Sequence, residues 1–205
     1  DLHSFPTRRS SDLWQIILFL ADGFEEIEAL ATVDILRRAE IAVETVSISA
    51  TRTVTGAHNV PVTADTVFND ADFTDVQMVI LPGGMPGAQH LNEHDGVRKV
   101  VTESLAKGKR IAAICAAPMV FGEMNLLNGK RATCYPGIEP RLIGAQVTGE
   151  KVTVDGLITT GKGPGLAFDF ALQLVEQIAG KEKRREVEAG LCQRSEERRV
   201  GKECR

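Results

Sequence analysis

The segment 110–118 places a cysteine where a buried strand meets a helix. Residues 110–114 form a short apolar run typical of a buried strand, and Cys115 follows it directly. Two alanines and Pro118 come next, and proline is favoured in the first turn of a helix. Cys115 is therefore predicted to lie on a sharp strand-to-helix turn, near the positive end of a helix dipole. That field favours the thiolate, which is the reactive form of cysteine.

A second interpretation of Cys115 is an inert core residue, because cysteine is among the most frequently buried residue types. The Pro82-Gly83-Gly84 turn favours the reactive interpretation, since it ends another apolar strand. Glycines at such a turn let backbone N–H groups approach a ligand closely. With the N–H of Ala116, Gly83 and Gly84 are predicted to form an oxyanion hole. Taken alone, the two glycines would indicate only a tight turn.

Glu28 is the candidate acid or base. It lies on the helix predicted after the first strand, a little over one turn from the helix start. A carboxylate directed toward the strand ends could share a proton with the thiol. The alternative is a solvated helix position, where glutamate is most often found.

Other candidate residues carry weaker signals. His58, His90 and His94 fall in loops or turns without metal-ligand spacing, so we expect exposed side chains and no metal. Cys134 follows a short strand, and its sequence context does not separate a resolving thiol from a core residue. The glycine-rich segment 161–165 lacks the spacing of a phosphate-binding loop and is predicted to be a close-packed entry to the last long helix.

Strands and helices alternate along the chain, which predicts a mostly parallel sheet with helices on both faces. In such sheets, ligands bind beyond the carboxyl ends of the strands, where the turns at 22–23, 83–84 and 115–116 are expected. The predicted strands are residues 15–20, 42–49, 78–81, 110–114, 131–134 and 146–148, with hairpins at 53–64 and 152–160. The predicted helices are residues 25–39, 95–107, 118–124, 164–180 and 181–191.

Composition bounds the class of protein. A chain of 205 residues with 43% hydrophobic residues can build one substantial core. A formal net charge of −4 argues against a nucleic-acid surface, and no apolar stretch reaches the length of a membrane span. The four cysteines do not form the pattern of a disulfide framework, so the expected compartment is a reducing cytoplasm.

The two ends differ from the body of the chain. Residues 1–13 are polar and aperiodic, and residues 194–205 are a charge run. Both are interpreted as non-native or disordered tails flanking a single domain over residues 14–193.

Four motifs, in order, resemble the ThiJ/PfpI superfamily and specifically its DJ-1-like branch. They are ADGFEEIE (21–28), VILPGG (79–84), AAICAAP (112–118) and DGLITTGKGPG (155–165). The resemblance covers about residues 14–192. It implies a flavodoxin-like three-layer α/β/α sandwich with a mostly parallel central sheet and a β-hairpin excursion. It also implies a homodimer and no cofactor.

The resemblance also assigns roles to particular residues. Cys115 corresponds to a nucleophile-elbow cysteine that is easily oxidised to sulfinate, and Glu28 to the glutamate that hydrogen-bonds its sulfur. Gly83, Gly84 and Ala116 correspond to the backbone donors.

The chain departs from two patterns within the superfamily. PfpI-type peptidases carry a histidine directly after the cysteine, and this chain has Ala116 there, so a peptidase is not expected. Some DJ-1-like members place a histidine where Tyr135 aligns. If Tyr135 takes the place of that histidine, its hydroxyl is expected to orient substrate but not to act as a general base, because it is a poor base near neutrality.

The resemblance implies a cysteine-dependent glyoxalase or deglycase that acts on small reactive dicarbonyls or their adducts. The alternative is a non-enzymatic redox sensor or stress chaperone that uses the same cysteine. A weaker alternative is a role in thiazole-monophosphate biosynthesis, which only the family label suggests.

Overall fold

The computed structural model describes residues 15–192, and the two predicted tails lie outside this range. The strands within it are β1 (Gln15–Leu20), β2 (Val43–Ser47), β3 (Thr53–Thr55), β4 (Pro61–Thr63), β5 (Thr66–Val67), β6 (Val76–Leu81), β7 (Arg110–Ile114), β8 (Arg131–Ala132), β9 (Gln146–Val147), β10 (Val152–Asp155) and β11 (Ile158–Gly161). The helices are α1 (Glu26–Arg38), α2 (Gly87–Glu93), α3 (Asp95–Ala106), α4 (Pro118–Glu123) and α5 (Ala167–Gly190). Single 3₁₀ turns occur at Phe68–Asp70, Glu139–Arg141 and Pro164–Leu166.

Seven strands form the central sheet, in the order β10-β11-β7-β6-β1-β2-β5. Every pairing in it is parallel except the β10–β11 hairpin. The central strands are buried on both faces, which explains why β1, β6 and β7 are continuous apolar runs rather than alternating ones. The prediction of a flavodoxin-like α/β fold with a mostly parallel sheet is confirmed.

The order of the strands creates a switch point between β1 and β6. From β1 the chain crosses through α1 to β2, and from β6 it crosses through α3 to β7, in the opposite direction along the sheet. Right-handed crossovers that run in opposite directions put their helices on opposite faces of the sheet. A crevice opens at the carboxyl ends of the strands beside such a point, and ligands bind there in open α/β sheets.

Several predicted elements differ in extent. Residues 131–134 and 146–148 supply β8 and β9, which pair with each other outside the central sheet. The break predicted between helices 164–180 and 181–191 is confirmed within α5, which consists of two helical segments that meet at Gly180, whose φ of +86° and ψ of 171° are not helical. Helix α2 and strand β5 were not predicted, because each is too short to show a hydrophobic period. The hairpin predicted over 53–64 is confirmed as β3–β4.

Among residues 15–192, no helix combines the length and the apolar character that crossing a bilayer requires.

Candidate active site

Cys115 directly follows β7 in a left-handed backbone conformation, with φ of +65°. Such a φ is uncommon for a non-glycine residue and often marks a functional turn. The Cys115 N–H donates to the Gly161 carbonyl at 2.9 Å, and the Cys115 carbonyl accepts from the Tyr135 N–H at 2.8 Å. The residue is 8% exposed. The turn is therefore fixed from both sides, and little of the cysteine is open to solvent.

Glu28 lies in the first turn of α1 and is fully buried. Its Oε2 accepts a hydrogen bond from the Gly83 N–H at 2.9 Å. Its Oε1 has no partner with ordinary hydrogen-bond geometry among the described residues. This carboxyl and the Cys115 thiol each shift the pKa of the other, so the two groups lie close together. The structure therefore brings the predicted nucleophile and the predicted acid or base together.

Gly83 lies between these two side chains. A Cβ at Gly83 would lie 2.6 Å from the Cys115 Cβ and 2.7 Å from Glu28 Oε2, well inside van der Waals contact. The absence of a side chain at Gly83 is what lets the carboxyl and the cysteine approach each other.

The predicted oxyanion hole needs a correction at Gly83. Its N–H is already bound to Glu28, so it holds the carboxyl rather than facing a substrate. The N–H groups of Gly84 and Ala116 act to lower the pKa of the Cys115 thiol, as donors to a thiolate do. These two groups are the donors available to an anion at the sulfur.

The prediction that a helix dipole favours the Cys115 thiolate also needs correction. Burial and the neighbouring Glu28 carboxylate raise the pKa of the thiol above its usual value, and the N–H groups of Gly84 and Ala116 oppose this only in part. Burial also raises the pKa of Glu28, to about 7. Ionisation of the two groups is therefore coupled, because a negative charge on one disfavours a negative charge on the other. Protonation of Glu28 favours the thiolate, because it removes the repelling charge and supplies a hydrogen-bond donor.

Tyr135 is linked to the site through its backbone, because its N–H donates a hydrogen bond to the Cys115 carbonyl. Its side chain is 48% exposed and lies against Gly163, where an added Cβ would be 3.2 Å from the ring. The preceding residue, Cys134, is a buried free thiol whose pKa is raised to about 11, mainly by burial.

The three histidines occupy separate places in the structure. His58 binds Glu26 through its N–H at 2.7 Å and its Nδ1 at 2.8 Å, which ties the segment between β3 and β4 to α1. His90 Nδ1 is 2.9 Å from the Asp22 carbonyl, and His94 Nδ1 accepts from the Val97 N–H at the start of α3.

Glu25 is a buried residue of the site that the sequence analysis did not single out. It is the N-cap of α1, and its Oε2 accepts from the Glu28 N–H at 2.7 Å. An acidic residue directly before a helix that carries Glu28 in its first turn was the available signal.

Comparison with known proteins identifies the family to which the chain is similar. Residues 14–177 match the model of the DJ-1/PfpI family. The chain is 36% identical over 193 residues to Protein DJ-1 homolog B of Arabidopsis thaliana, covering 93% of this chain but 44% of that protein. It is 36% identical over 177 residues to Protein dj-1beta of Drosophila melanogaster, covering 85% of this chain and 95% of the relative. It is 31% identical over 179 residues to Glutathione-independent glyoxalase DJR-1.2 of Caenorhabditis elegans, covering 86% of this chain and 95% of that relative.

Solved structures of DJ-1 proteins superpose closely on this chain. A DJ-1 superfamily protein from Salmonella typhimurium, solved as a cysteine-to-alanine mutant, superposes with a TM-score of 0.85 at 34% identity, covering 89% of this chain and all of that one. Oxidized Toxoplasma gondii DJ-1 superposes with a TM-score of 0.84 at 33% identity, covering 87% of this chain and 98% of that one. The fold, the site and these relatives together show that the chain belongs to the DJ-1/PfpI family.

Proposed function

We propose that this protein is a cysteine-dependent enzyme of the glyoxalase type, acting on small reactive dicarbonyls. The observation that carries the proposal is the buried pair of Cys115 and Glu28, which meet beside Gly83, together with the N–H groups of Gly84 and Ala116 that favour negative charge on the sulfur. A Caenorhabditis elegans relative named as a glutathione-independent glyoxalase supports this reaction class.

The first proposed step is addition of the Cys115 thiolate to the aldehyde carbon of a 2-oxoaldehyde such as methylglyoxal. A carbon–sulfur bond forms, the carbonyl electrons move to oxygen, and that oxygen takes the proton from Glu28. The product is a hemithioacetal. The N–H groups of Gly84 and Ala116 stabilise the negative charge that develops during the addition.

In the second proposed step, Glu28 acts as a carboxylate and removes the proton from the carbon bonded to sulfur. It returns that proton to the neighbouring carbon, and the hydroxyl proton of the hemithioacetal passes to the ketone oxygen. The former aldehyde carbon thereby becomes a thioester and the ketone becomes an alcohol. One carbon is oxidised while its neighbour is reduced, and no external oxidant is needed. Water then cleaves the thioester, which releases a 2-hydroxy acid and restores the thiol.

The test is the rate of lactate formation from methylglyoxal. We expect no turnover by Cys115→Ala and a loss of about 10²-fold or more for Glu28→Gln, because general acid–base groups contribute on that scale. Cys192→Ala is the matched control, since Cys192 is an exposed free thiol outside the site. Equal rates in wild type, Cys115→Ala and Glu28→Gln would refute the proposal. Repeating the assay with a glycated amino acid as substrate tests whether carbonyl adducts are also processed.

The second candidate function is a redox sensor that uses the same cysteine. One thiolate and two peroxide molecules give a sulfinate and two molecules of water. The N–H groups of Gly84 and Ala116 would bind the new oxygens, and protonated Glu28 would donate through its unpartnered Oε1. That the similar Toxoplasma gondii DJ-1 structure is of an oxidized form favours this candidate.

Intact-mass measurement after mild peroxide treatment tests this second function. A two-oxygen adduct that forms in wild type and in Cys192→Ala, but not in Cys115→Ala, supports it. An adduct that persists in Cys115→Ala indicates general oxidation of methionine or of other cysteines. Turnover of methylglyoxal together with slow adduct formation favours the enzyme.

We also infer that the protein forms a homodimer through α1. Ile27 and Leu30 are 55% and 43% exposed and lie three residues apart, so they share one face of the helix. Exposed apolar groups of this kind mark association surfaces when they cluster. Light scattering of wild type against Ile27→Glu tests the inference, which predicts a mass of two chains for the former and one for the latter.

A further inference from the structure

Helices α2 and α4 each begin at a turn of the candidate site. The Gly84 carbonyl accepts a hydrogen bond at 2.8 Å from the Ala88 N–H, in the first turn of α2. The Ala116 carbonyl accepts one at 3.1 Å from the Met119 N–H, in the first turn of α4. The orientation of the two helices therefore sets how these two turns face each other.

The opposite ends of α2 and α4 are tied together through Glu123, the last residue of α4. Its Oε2 accepts from Asn92 Nδ2 on α2 at 2.6 Å, and its Oε1 accepts from Arg141 Nε. Arg141 also donates to Gln89 Oε1 on α2 at 2.9 Å. Both carboxylate oxygens are thus used, and each leads to α2, either directly or through Arg141. We call Asn92, Glu123 and Arg141 the cross-tie.

Burial and close packing fix the cross-tie in one arrangement. Asn92 is 7% exposed, and its Oδ1 accepts from Arg98 Nη1 of α3 at 2.9 Å, so its amide cannot turn over without losing a hydrogen bond. A Cβ at Gly122 would lie 2.2 Å from the Arg141 carbonyl oxygen, which shows how closely that segment packs on α4. Hydrogen bonds to a charged group are stronger than those between neutral groups, so the cross-tie resists separation of the helices.

Residues 135–141 connect the cross-tie back to the cysteine. The Tyr135 N–H donates to the Cys115 carbonyl at 2.8 Å, and the Tyr135 carbonyl accepts from the Ile138 N–H at 3.1 Å. The Ile138 carbonyl in turn accepts from the Arg141 N–H at 2.9 Å. The same segment therefore holds α4 at both ends, at the cysteine turn and at Glu123.

We propose that Glu123 is a positioning residue that holds the Gly83 turn, which binds Glu28, against the Cys115 turn by tying the far ends of α2 and α4 together. The contact between these turns has no spare room, since a Cβ at Gly83 would lie 2.6 Å from the Cys115 Cβ. A small rotation of either helix would consequently change the approach of Glu28 to Cys115. The inference rests on the proposed pairing of Cys115 with Glu28, but not on the identity of the substrate. The competing explanation is that the cross-tie only stabilises the fold.

An exchange of hydrogen-bond roles tests the cross-tie. Glu123→Gln replaces an acceptor with a donor that faces the Asn92 Nδ2 donor, so the bond to α2 is lost. Asn92→Asp alone sets two carboxylates against each other at the same place. The double variant restores the bond with its direction reversed, because the new carboxylate accepts from the new amide. In the double variant, the bonds from Arg98 and Arg141 both keep an oxygen acceptor.

Glu176→Gln is the matched control. Glu176 forms an ion pair with Arg184 within α5, and this pair is about as exposed as that of Glu123 with Arg141. The control therefore removes a comparable interaction at a place that does not connect α2 with α4.

The measurements are kcat and KM for methylglyoxal and the rate at which iodoacetamide alkylates the Cys115-containing peptide at fixed pH. We expect each single variant to lower kcat about tenfold or more while KM stays within about twofold, because the reacting groups are misplaced. Alkylation should be about three- to tenfold faster, because a loosened turn exposes the sulfur. The double variant should return to within about threefold of wild type in both readouts. Glu176→Gln should match wild type in both, even where its Tm falls.

Single variants that lower Tm but leave kcat and alkylation at wild-type values would overturn the proposal, since a purely stabilising role predicts that result. A double variant that recovers Tm but neither readout would overturn it as well. Arg141→Lys is a milder loss of the same cross-tie, expected to change both readouts less and in the same direction, and it replaces any single variant that does not fold. If wild type does not turn over methylglyoxal, the proposed function fails, while the alkylation rates still decide the role of Glu123.

Discussion

Glu28 Oε2 and the Cβ of Cys115 approach the same point beside Gly83, and a methyl group at that point would collide with both. The two side chains come from different elements, since Glu28 lies on α1 and Cys115 follows β7. The site therefore requires a glycine at position 83, because any side chain there would separate Glu28 from Cys115.

Gly83→Ala is expected to separate the pair while leaving the sheet in place. Since misplacement of a catalytic group by about 1 Å can cost about 10²-fold, we expect at least that loss in methylglyoxal turnover. Overpacking should also lower the free energy of unfolding by about 1–3 kcal/mol. Gly165→Ala is the control, because no described atom would lie within 4 Å of its Cβ. Full activity in Gly83→Ala would show that the close approach is dispensable.

Glu28→Gln is expected to stabilise the fold at alkaline pH. Burial raises the pKa of Glu28 to about 7 from an ordinary value of 4.5, so the unfolded chain loses this proton at lower pH than the folded chain does. Stability contributed by the protonated group is therefore lost as pH rises between these values. Above pH 7 the variant should be more stable by roughly 1–3 kcal/mol, with no gain near pH 4. Denaturant unfolding at both pH values checks this, with Glu103→Gln as an exposed control.

His58→Asn is expected to destabilise the protein more in acid than in alkali. The hydrogen bond and the charge of Glu26 raise the pKa of His58. Burial opposes ionisation of Glu26, but hydrogen bonds from His58 hold the pKa of that carboxyl below its usual value. A raised histidine pKa contributes stability below the ordinary value of 6.5 that is lost as pH rises through the folded value. The difference in Tm between wild type and variant should thus be larger at pH 5.5 than at pH 9, and an equal difference at both would contradict the pairing.

Tyr135→Phe separates the backbone role of Tyr135 from that of its hydroxyl. The N–H that binds the Cys115 carbonyl is unchanged, so alkylation of Cys115 and thermal stability should equal those of wild type. If the hydroxyl orients substrate, KM for methylglyoxal should rise by about 3–10-fold, the loss of one hydrogen bond, while kcat stays constant. A fall in kcat with constant KM would instead place the hydroxyl in the chemical step.

Much of this architecture could be predicted because the central strands are continuous apolar runs closed by sharp turns. The apolar runs that precede Gly83 and Cys115 each predicted a strand, and the turn that follows each run predicted where the strand ends. The rule that parallel strands present their carboxyl ends at one edge allowed Cys115 and Glu28 to meet, but the pairing itself was predicted from the resemblance to the DJ-1-like branch.

The proton equilibrium could not be predicted in the same way. A helix dipole is visible in sequence, but the burial of Glu28 depends on elements far apart along the chain. The capture of the Gly83 N–H by Glu28 likewise depends on residues 55 positions apart. Local sequence therefore predicted a thiolate and three oxyanion donors. In the folded chain the pKa of the thiol is raised, and Gly83 donates its N–H to Glu28, which leaves Gly84 and Ala116 as the donors.

The strands on either side of the switch point between β1 and β6 must pair before the candidate site exists, which makes Cys115 a probe of folding. Glu28, Gly83 and Cys115 meet only after three strands have docked, since each follows a different one. Partly folded molecules with helices but an unassembled sheet would carry an ordinary solvated thiol. The pH profile of Cys115 modification is thus a built-in reporter of complete sheet assembly, readable in refolding experiments without an added label.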